Sequence, residues 1–502
     1  MHTNMKSYKN LALSVLAVAT LGLASSCNYL DIEPENTLPQ DEVDYSNTEN
    51  MYQPVSGCYA ALRTGGCHWV INMLTVIRDG DVWSGRVDDQ ADLVSIGRNY
   101  VYNSSFWGIN EIWNQYYNMI KICNGALSAL DKYAEYLKTD QEKANYRSYR
   151  GEVLILRSYA YYRLCQAFGD VTIIKDNTQT DLRRSTRDVV YQYVLEDLKY
   201  AAENCKKVRP NEMDHIGAFT AYTAEALAAK ICLNMGKYDQ VETYTEDIIK
   251  SGKFQLYSDF YQLFKIPGKL CNESLLECQV TDFGQGAGDY VGVDCFFISC
   301  GPTITNPDTQ PTSAGGWCFI GYEDSFQQWA ANRGETVRAT TSFLLGGQNQ
   351  PSGDFVAAAG NPSNTNCWNG KWYVPLAQFT PGRTDYAENN NVRIIRYAEV
   401  LLMNAEAKIR QSKNGDEPLN LVRKRANMPS LTGATVNDVM AERRMELCCE
   451  WGTRYEDLCR TGEAKTVLGP NGWDESKRYY PIPLSQLDLA PALKLDPYTS
   501  LQ

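Results

Sequence analysis

The chain has 502 residues, 44% of them apolar, and a formal net charge of −12 at pH 7. That length supports a large buried core and, at roughly 150 residues per unit, suggests two or three units. An acidic balance without a basic patch argues against nucleic acid and anionic lipid headgroups as partners.

Residues 1–26 read as a signal peptide that is removed. Lys6 and Lys9 form a positive start, and an apolar run follows from Leu11 to about Leu23. The run is short for a membrane span, which needs roughly 20 apolar residues, and it suits a secretory signal. Ala24, Ser25 and Ser26 then lead to Cys27. Small residues before a cysteine point to a lipoprotein signal, with a diacylglyceryl group on the Cys27 sulfur. Leu23 stands one place farther from the cysteine than the commonest lipobox would put it, and plain secretion is the competing reading. Several acyl chains on one cysteine give stable anchoring where a single chain does not.

Residues 27–44 are polar and acidic with Pro34 and Pro39, and read as a lipidated flexible leader. Residues 45–502 read as a single domain in three blocks. The first, 45–252, is helical. Three- and four-residue spacings of apolar side chains predict helices at 47–63, 105–137, 141–168, 186–204, 216–235 and 237–251. Alanines crowd the helix after Ala218, and Gly236 follows it. Small side chains allow close helix packing, and glycine supplies the positive φ of a helix end. That segment resembles a tetratricopeptide pair, although its 34-residue period is not regular along the chain.

The second block, 253–391, is rich in Gly, Asn, Thr and Pro and predicts short strands, including Ser274–Val280, between long loops. Long loops in a compact domain usually carry function. In the third block, 392–502, helices are expected at 392–410, 416–427 and 435–450, before a proline- and leucine-rich tail from Tyr479.

Lipidation of Cys27 would leave fifteen of the 16 cysteines. Cys123, Cys165, Cys232 and Cys448 occupy apolar helical positions and read as small buried hydrophobes. Cys271, Cys278, Cys295, Cys300, Cys318 and Cys367 lie in loop-rich sequence and are the better disulfide candidates.

Several long motifs occur in one order. They are CNYLDIEP (27–34), WNQYYNMIKICNGAL (113–127), EVLILRSYAYYRLCQAFGDV (152–171), RIIRYAEVLLMNAEA (393–407), LNLVRKRANMP (419–429), ERRMELCCEWGTRYEDLCRTGEA (442–464) and YYPIPLSQLDLAPAL (479–493). Together they resemble the SusD/RagB family of outer-membrane nutrient-binding lipoproteins over nearly the whole mature chain. Cys448 and Cys449 depart from that pattern, standing where apolar residues are usual. The resemblance implies a mainly α fold: degenerate tetratricopeptide-type helix pairs forming a scaffold, with a loop-rich insertion containing short strands. It implies a protein on the cell surface that binds an oligosaccharide, or a peptide in some relatives. Acting as a lid, it would pass that nutrient to a SusC-like TonB-dependent transporter. No cofactor and no catalysis are implied.

Sugar sites combine flat apolar faces with directional polar groups. Two regions offer both, and in the family, loops in these regions contribute to ligand binding. The first runs from Trp69 to Arg86 and holds Arg78, Asp79, Asp81 and Trp83. The second runs from Asp289 to Trp317 and holds Tyr290, Phe296, Phe297 and Trp317. Trp83 with Asp79 and Arg78 is the leading candidate. The structural alternative is that Asp79 caps a turn and Trp83 packs in the core. Trp317 and, more weakly, Trp368 and Trp372 carry the same alternative.

Glu442, Glu446 and Glu450 recur every four residues, and an enzyme reading would use two as acid and base. Arg423, Arg425, Arg443, Arg444 and Arg454 are close in sequence, so an ion-pair network joining helices is the stronger reading. Only His68 and His215 follow the signal, which leaves little for histidine-based metal or triad chemistry. Gly284, Gly286 and Gly288 lack the strand-to-helix context of a nucleotide site. A surface binding protein, a secreted glycan hydrolase and a tetratricopeptide protein scaffold thus remain, in that order.

Overall fold

The computed structural model describes residues 43–84, 89–280, 301, 316–358, 366–378 and 390–502. Residues 48–502 form one unit. Of the preceding segment, residues 43–47 are described, where Asp44 accepts the N–H and O–H of Ser46 at 3.0 and 2.6 Å.

The first helix expected from the pattern is divided. A 3-10 turn (Thr48–Tyr52) leads into α1 (Gln53–Ala61), and five π-helical residues (Leu62–Gly66) follow. Pro54 sits in the first turn of α1, where its missing N–H costs no hydrogen bond. The short helix α2 (Trp69–Val76) comes next, then β1 (Val82–Ser84) and α3 (Ala91–Asn99).

The long helices follow the apolar spacing closely. They are α4 (Trp107–Ala134), α5 (Asp140–Phe168), α6 (Arg187–Asn204), α7 (Ala221–Asn234) and α8 (Tyr238–Lys250). A capping box starts α5: Glu142 N–H donates to Thr139 Oγ1 at 3.1 Å, and Thr139 N–H donates to Glu142 Oε2 at 2.6 Å. Gly236 between α7 and α8 has φ +69°, the left-handed turn expected there. Ala221, Ala224, Ala228 and Ala229 are buried and let α7 sit between α6 and α8. Each helix from α4 to α8 packs on the next in sequence.

Strands β2 (Ser274–Cys278) and β3 (Ile320–Tyr322) belong to the middle block, which also holds two helices among its described residues. These are α9 (Asp324–Arg333) and α10 (Val337–Ser342). Short strands β4 (Phe343–Leu345), β5 (Gln348–Asn349), β6 (Phe355–Val356) and β7 (Cys367–Asn369) complete it. The described strands pair as antiparallel two-stranded ladders, β1 with β3, β4 with β7 and β5 with β6, while β2 pairs with β8 (Val392–Arg396). The helix expected at 392–410 therefore starts five residues late, as α11 (Tyr397–Arg410). Val392, Ile394 and Ile395 are β-branched and favour the ladder with β2.

Helix α11 returns to pack on α8 and so closes the helical stack. It also supports α12 (Asp416–Arg425) and α13 (Val436–Glu446). The expected helix 435–450 ends at Glu446, because Cys449 (φ +54°) and Gly452 (φ +72°) turn the chain. Helices α14 (Thr453–Thr461), α15 (Ala464–Leu468) and α16 (Leu484–Leu489) follow.

The three spaced glutamates form an ion-pair network, and all are buried. Arg396 at the end of β8 donates to Glu450 at 2.9 and 2.7 Å, to Glu446 at 3.1 Å, and to Glu273 ahead of β2. Arg338 of α10 donates to Glu335, to Glu442 at 2.6 Å and to Glu446 at 3.4 Å. Arg423 and Arg425 of α12 bond Glu442, Glu273 and Glu446, and Lys371 bonds Glu450 at 2.8 Å. Burial alone would raise the Glu446 carboxyl, but Arg425, Arg396, Arg338 and Lys371 hold it down at about 2.

Among the disulfide candidates, Cys271 and Cys278 are thiols, and burial raises the Cys271 thiol to about 11. Cys318 accepts the Trp368 indole N–H at 2.9 Å, and Cys367 is buried in β7. Cys295 and Cys300 lie outside the described residues. Cys123, Cys165 and Cys232 are buried on their helices as expected, and Cys448 is buried too, in the turn after α13.

Glu446→Gln leaves several guanidinium groups short of a counter-charge and should cost about 3–5 kcal/mol in urea unfolding at pH 7. The Glu446 carboxyl is held below its ordinary value of 4.5, so its stabilisation is complete above that pH and is lost as pH falls toward about 2. The variant should accordingly lose less stability than the parent across that window. Equal stability of the two proteins at pH 7 would contradict this reading.

Candidate functional site

The β1–β3 ladder joins the first region singled out by the sequence to the strand that follows Trp317, the end of the second. Its register sets Val82 opposite Tyr322, Trp83 opposite Gly321 and Ser84 opposite Ile320. Residues 317–319, immediately before β3, thereby return beside the start of α2. Gly108 admits the first turn of α4 to the same place, since a Cβ there would meet Phe106 at 2.7 Å and Val70 at 2.9 Å.

The result is an aromatic cluster centred on Trp69. Its ring centroid lies 5.7 Å from Trp107, 5.3 Å from Trp317 and 5.6 Å from Phe319. Trp317 and Phe319 are 5.5 Å apart. The His68 ring stands 5.7 Å from Trp69 and 6.5 Å from Trp107. Trp69 and Phe319 are buried and form the floor, whereas Trp317 and His68 are half-buried and Trp107 is 43% exposed. A large indole left this open at the head of a helix is available to a partner.

Polar groups border the rings. Glu111 and Gln115 follow Trp107 at one- and two-turn spacing on α4, and Glu111 accepts the Gln115 side-chain N–H at 2.7 Å. Burial pushes the His68 imidazole below its usual 6.5, against the pull of Glu111, and so favours the neutral ring. The face therefore offers flat apolar rings beside hydrogen-bonding groups, which suits the C–H face and hydroxyls of a sugar.

Trp69 and Trp317 thus come together, but the leading sequence candidates do not join them. The Arg78 guanidinium is buried between the Tyr455 and Tyr480 rings, at 4.2 and 4.0 Å from their centroids, and donates to the Arg478 carbonyl at 3.2 Å. The Asp79 carboxylate accepts the N–H groups of Asp81 and Val82 at 2.8 and 3.0 Å, closing a turn around Gly80 at φ +79°. Burial and the neighbouring Asp81 raise its carboxyl. Trp83 is buried in β1 with the Arg98 guanidinium 4.9 Å over its ring. Among the described residues, each of the three is engaged in holding the fold. Trp368 is likewise core, and Trp372 is half-buried against Lys371 and Asn390 in a small cavity. Cys27, Tyr290, Phe296 and Phe297 lie outside the described residues.

Three members were not singled out by sequence reasoning. Trp107 reads as one more apolar position of a helical pattern, although it precedes the regular core-facing positions. Phe319 is hidden within a strand entry. His68 belongs to no metal-ligating group among the described residues, and its neighbours in space give it a role.

Two family models match the chain. That described as "SusD family" covers residues 251–498, and that described as "Starch-binding associating with outer membrane" covers residues 28–233. The chain belongs to the SusD family. A SusD-like protein, P38, from Formosa agariphila is 24% identical over 532 aligned residues, covering 95% of this chain and 97% of the relative. One from Bacteroides ovatus is 22% identical, covering 89% and 82% respectively. Among solved structures, surface glycan-binding protein A from Bacteroides thetaiotaomicron in complex with laminarihexaose superposes with a TM-score of 0.76. It shares 24% identity, with coverage of 88% of this chain and 98% of that one. A laminarin-binding SusD-like protein gives a TM-score of 0.77 at 22% identity, covering 89% and 98%. These likenesses establish the SusD-type fold. The SusD-family motif at 442–464 supplies Glu442, Glu446 and Glu450 to the buried charge network, while its Arg443 pairs separately with Asp457 and Glu399.

Trp83→Ala should lower stability by about 3–5 kcal/mol, as removal of a buried indole does. Trp107→Ala should cost at most about 1 kcal/mol. Thermal unfolding of the two variants measures the contrast, and the reverse order would refute this division between core and face.

Proposed function

We propose that this protein is a surface-exposed outer-membrane lipoprotein, anchored through Cys27, that binds a glycan on the face formed by Trp69, Trp107 and Trp317. As a lid, it passes that glycan to a SusC-like TonB-dependent transporter. The observation that carries this reading is the open indole of Trp107 set against the buried ring of Trp69. Such an arrangement keeps apolar area ready for a ligand without ordering a flexible side chain on binding. The laminarihexaose complex of the related fold and the starch-binding description of the matching family model support a glucan as ligand class. That same model's association with the outer membrane supports the location.

A peptide ligand, as in some family members, is the second reading, favoured by the acidic Glu111 beside the rings. A hydrolase is disfavoured because Glu442, Glu446 and Glu450 are neutralised by arginine or lysine and withdrawn from solvent.

Isothermal titration with laminarihexaose and a panel of other oligosaccharides tests the proposal. Binding should occur without shorter products, and Trp107→Ala and Trp317→Ala should each weaken it at least tenfold, about 1.4 kcal/mol. Absence of glycan binding, or binding unchanged in both variants, would overturn it.

A further inference from the structure

His68 occupies two environments at once. Its Nδ1 accepts the Val70 N–H at 3.3 Å, capping the first turn of α2. Its ring also stands against Trp69 and Trp107 on the aromatic face. A neutral imidazole has one acceptor nitrogen and one donor nitrogen. With Nδ1 committed as acceptor, the proton must sit on Nε2. Nε2 is the ring nitrogen that the cap does not use, and the His68 side chain is partly exposed.

We propose that His68 is a specificity-determining residue of the glycan face, its Nε2–H donating to a hydroxyl or ring oxygen of a sugar packed on Trp107. The inference rests on the glycan reading above. The cap thus has a chemical consequence: by fixing the tautomer, it presents to the ligand a donor that cannot become an acceptor. An oxygen-rich neutral ligand satisfies such a donor, and an apolar ligand would leave it unpaired.

The same geometry makes the face sensitive to acid. Protonation places a hydrogen on Nδ1, removes the acceptor for Val70, and sets a positive charge at the positive end of α2. Glu111, facing His68 from α4, opposes this, while burial favours the neutral ring. Trp317 and Phe319 pack on Trp69, the neighbour of His68. Trp69 is the first residue of α2, so loss of the cap loosens the centre of the cluster.

The test uses the untagged mature protein, which retains His68 and His215 as its histidines. Imidazole ¹⁵N NMR should show His68 as the Nε2–H tautomer, and laminarihexaose should shift the His68 Nε2 signal while leaving His215 in place. Asparagine is a strong helix cap, so His68→Asn should keep the melting temperature yet weaken laminarihexaose binding about tenfold at pH 7.5. Lowering the pH from 7.5 to 5 should weaken binding by the parent more than by the asparagine variant. An Nδ1–H tautomer, or equal affinity of parent and His68→Asn, overturns the proposal while leaving the glycan reading intact. A parent protein that binds no oligosaccharide in the panel overturns both.

Discussion

The buried charge network around Arg396 is the interaction on which the remaining architecture depends. Arg396 joins carboxylates from the start of β2, the end of α13 and the turn after it. Isolated buried charges are costly, and a pair in a low-dielectric interior is tolerated only when its hydrogen bonds are well satisfied. Here each carboxylate meets more than one cation, and each cation brings another element: α10 through Arg338, α12 through Arg423 and Arg425, the segment after β7 through Lys371. The two halves of the third block and the loop-rich block are thereby held in one geometry.

That geometry reaches the aromatic face by short steps. The Glu450 carbonyl accepts the side-chain N–H of Asn72 in α2 at 2.9 Å. Gly452 lies so close to the Thr75 carbonyl that a Cβ would stand 2.6 Å from it. Arg444 of α13 bonds Asp81 at 2.8 Å and so secures the turn into β1. The ladder of β1 with β3 then places Trp317 and Phe319 against Trp69. Arg78 and Asp79 serve the same chain of support. Their polarity is used internally, one between tyrosine rings and the other in a turn, and the exposed chemistry is left to rings and to His68.

Much of the scaffold was legible from side-chain periodicity. Helices α4, α6 and α8 follow three- and four-residue spacing because one side of each is buried against a sequential neighbour, whereas α7 is buried on all sides. The alanine-rich α7 and Gly236 announced a close helix pair. The ion-pair reading of Glu442, Glu446 and Glu450 rested on arginines near them in sequence, of which Arg423 and Arg425 pair with them while Arg443, Arg444 and Arg454 pair elsewhere. Periodicity failed where short elements are decided by distant partners. Val392–Arg396 forms a strand because β2 offers a ladder, and α9 and α10 arise within sequence that resembles loops.

The sequence by itself determined the family, the helical scaffold and the two regions from which a ligand face could be built, because these reside in local spacing and in the order of motifs. It did not decide which residues join Trp69 and Trp317 in the aromatic cluster, since Trp107, Phe319 and His68 lie outside both regions. Trp83 and Trp107 are both tryptophans set among polar and apolar residues in the sequence. Only the register of β1 with β3 and the close approach of α4 to α2 bury the one and leave the other open. Solvent exposure is set by contacts between segments far apart in the chain, and no local pattern records it.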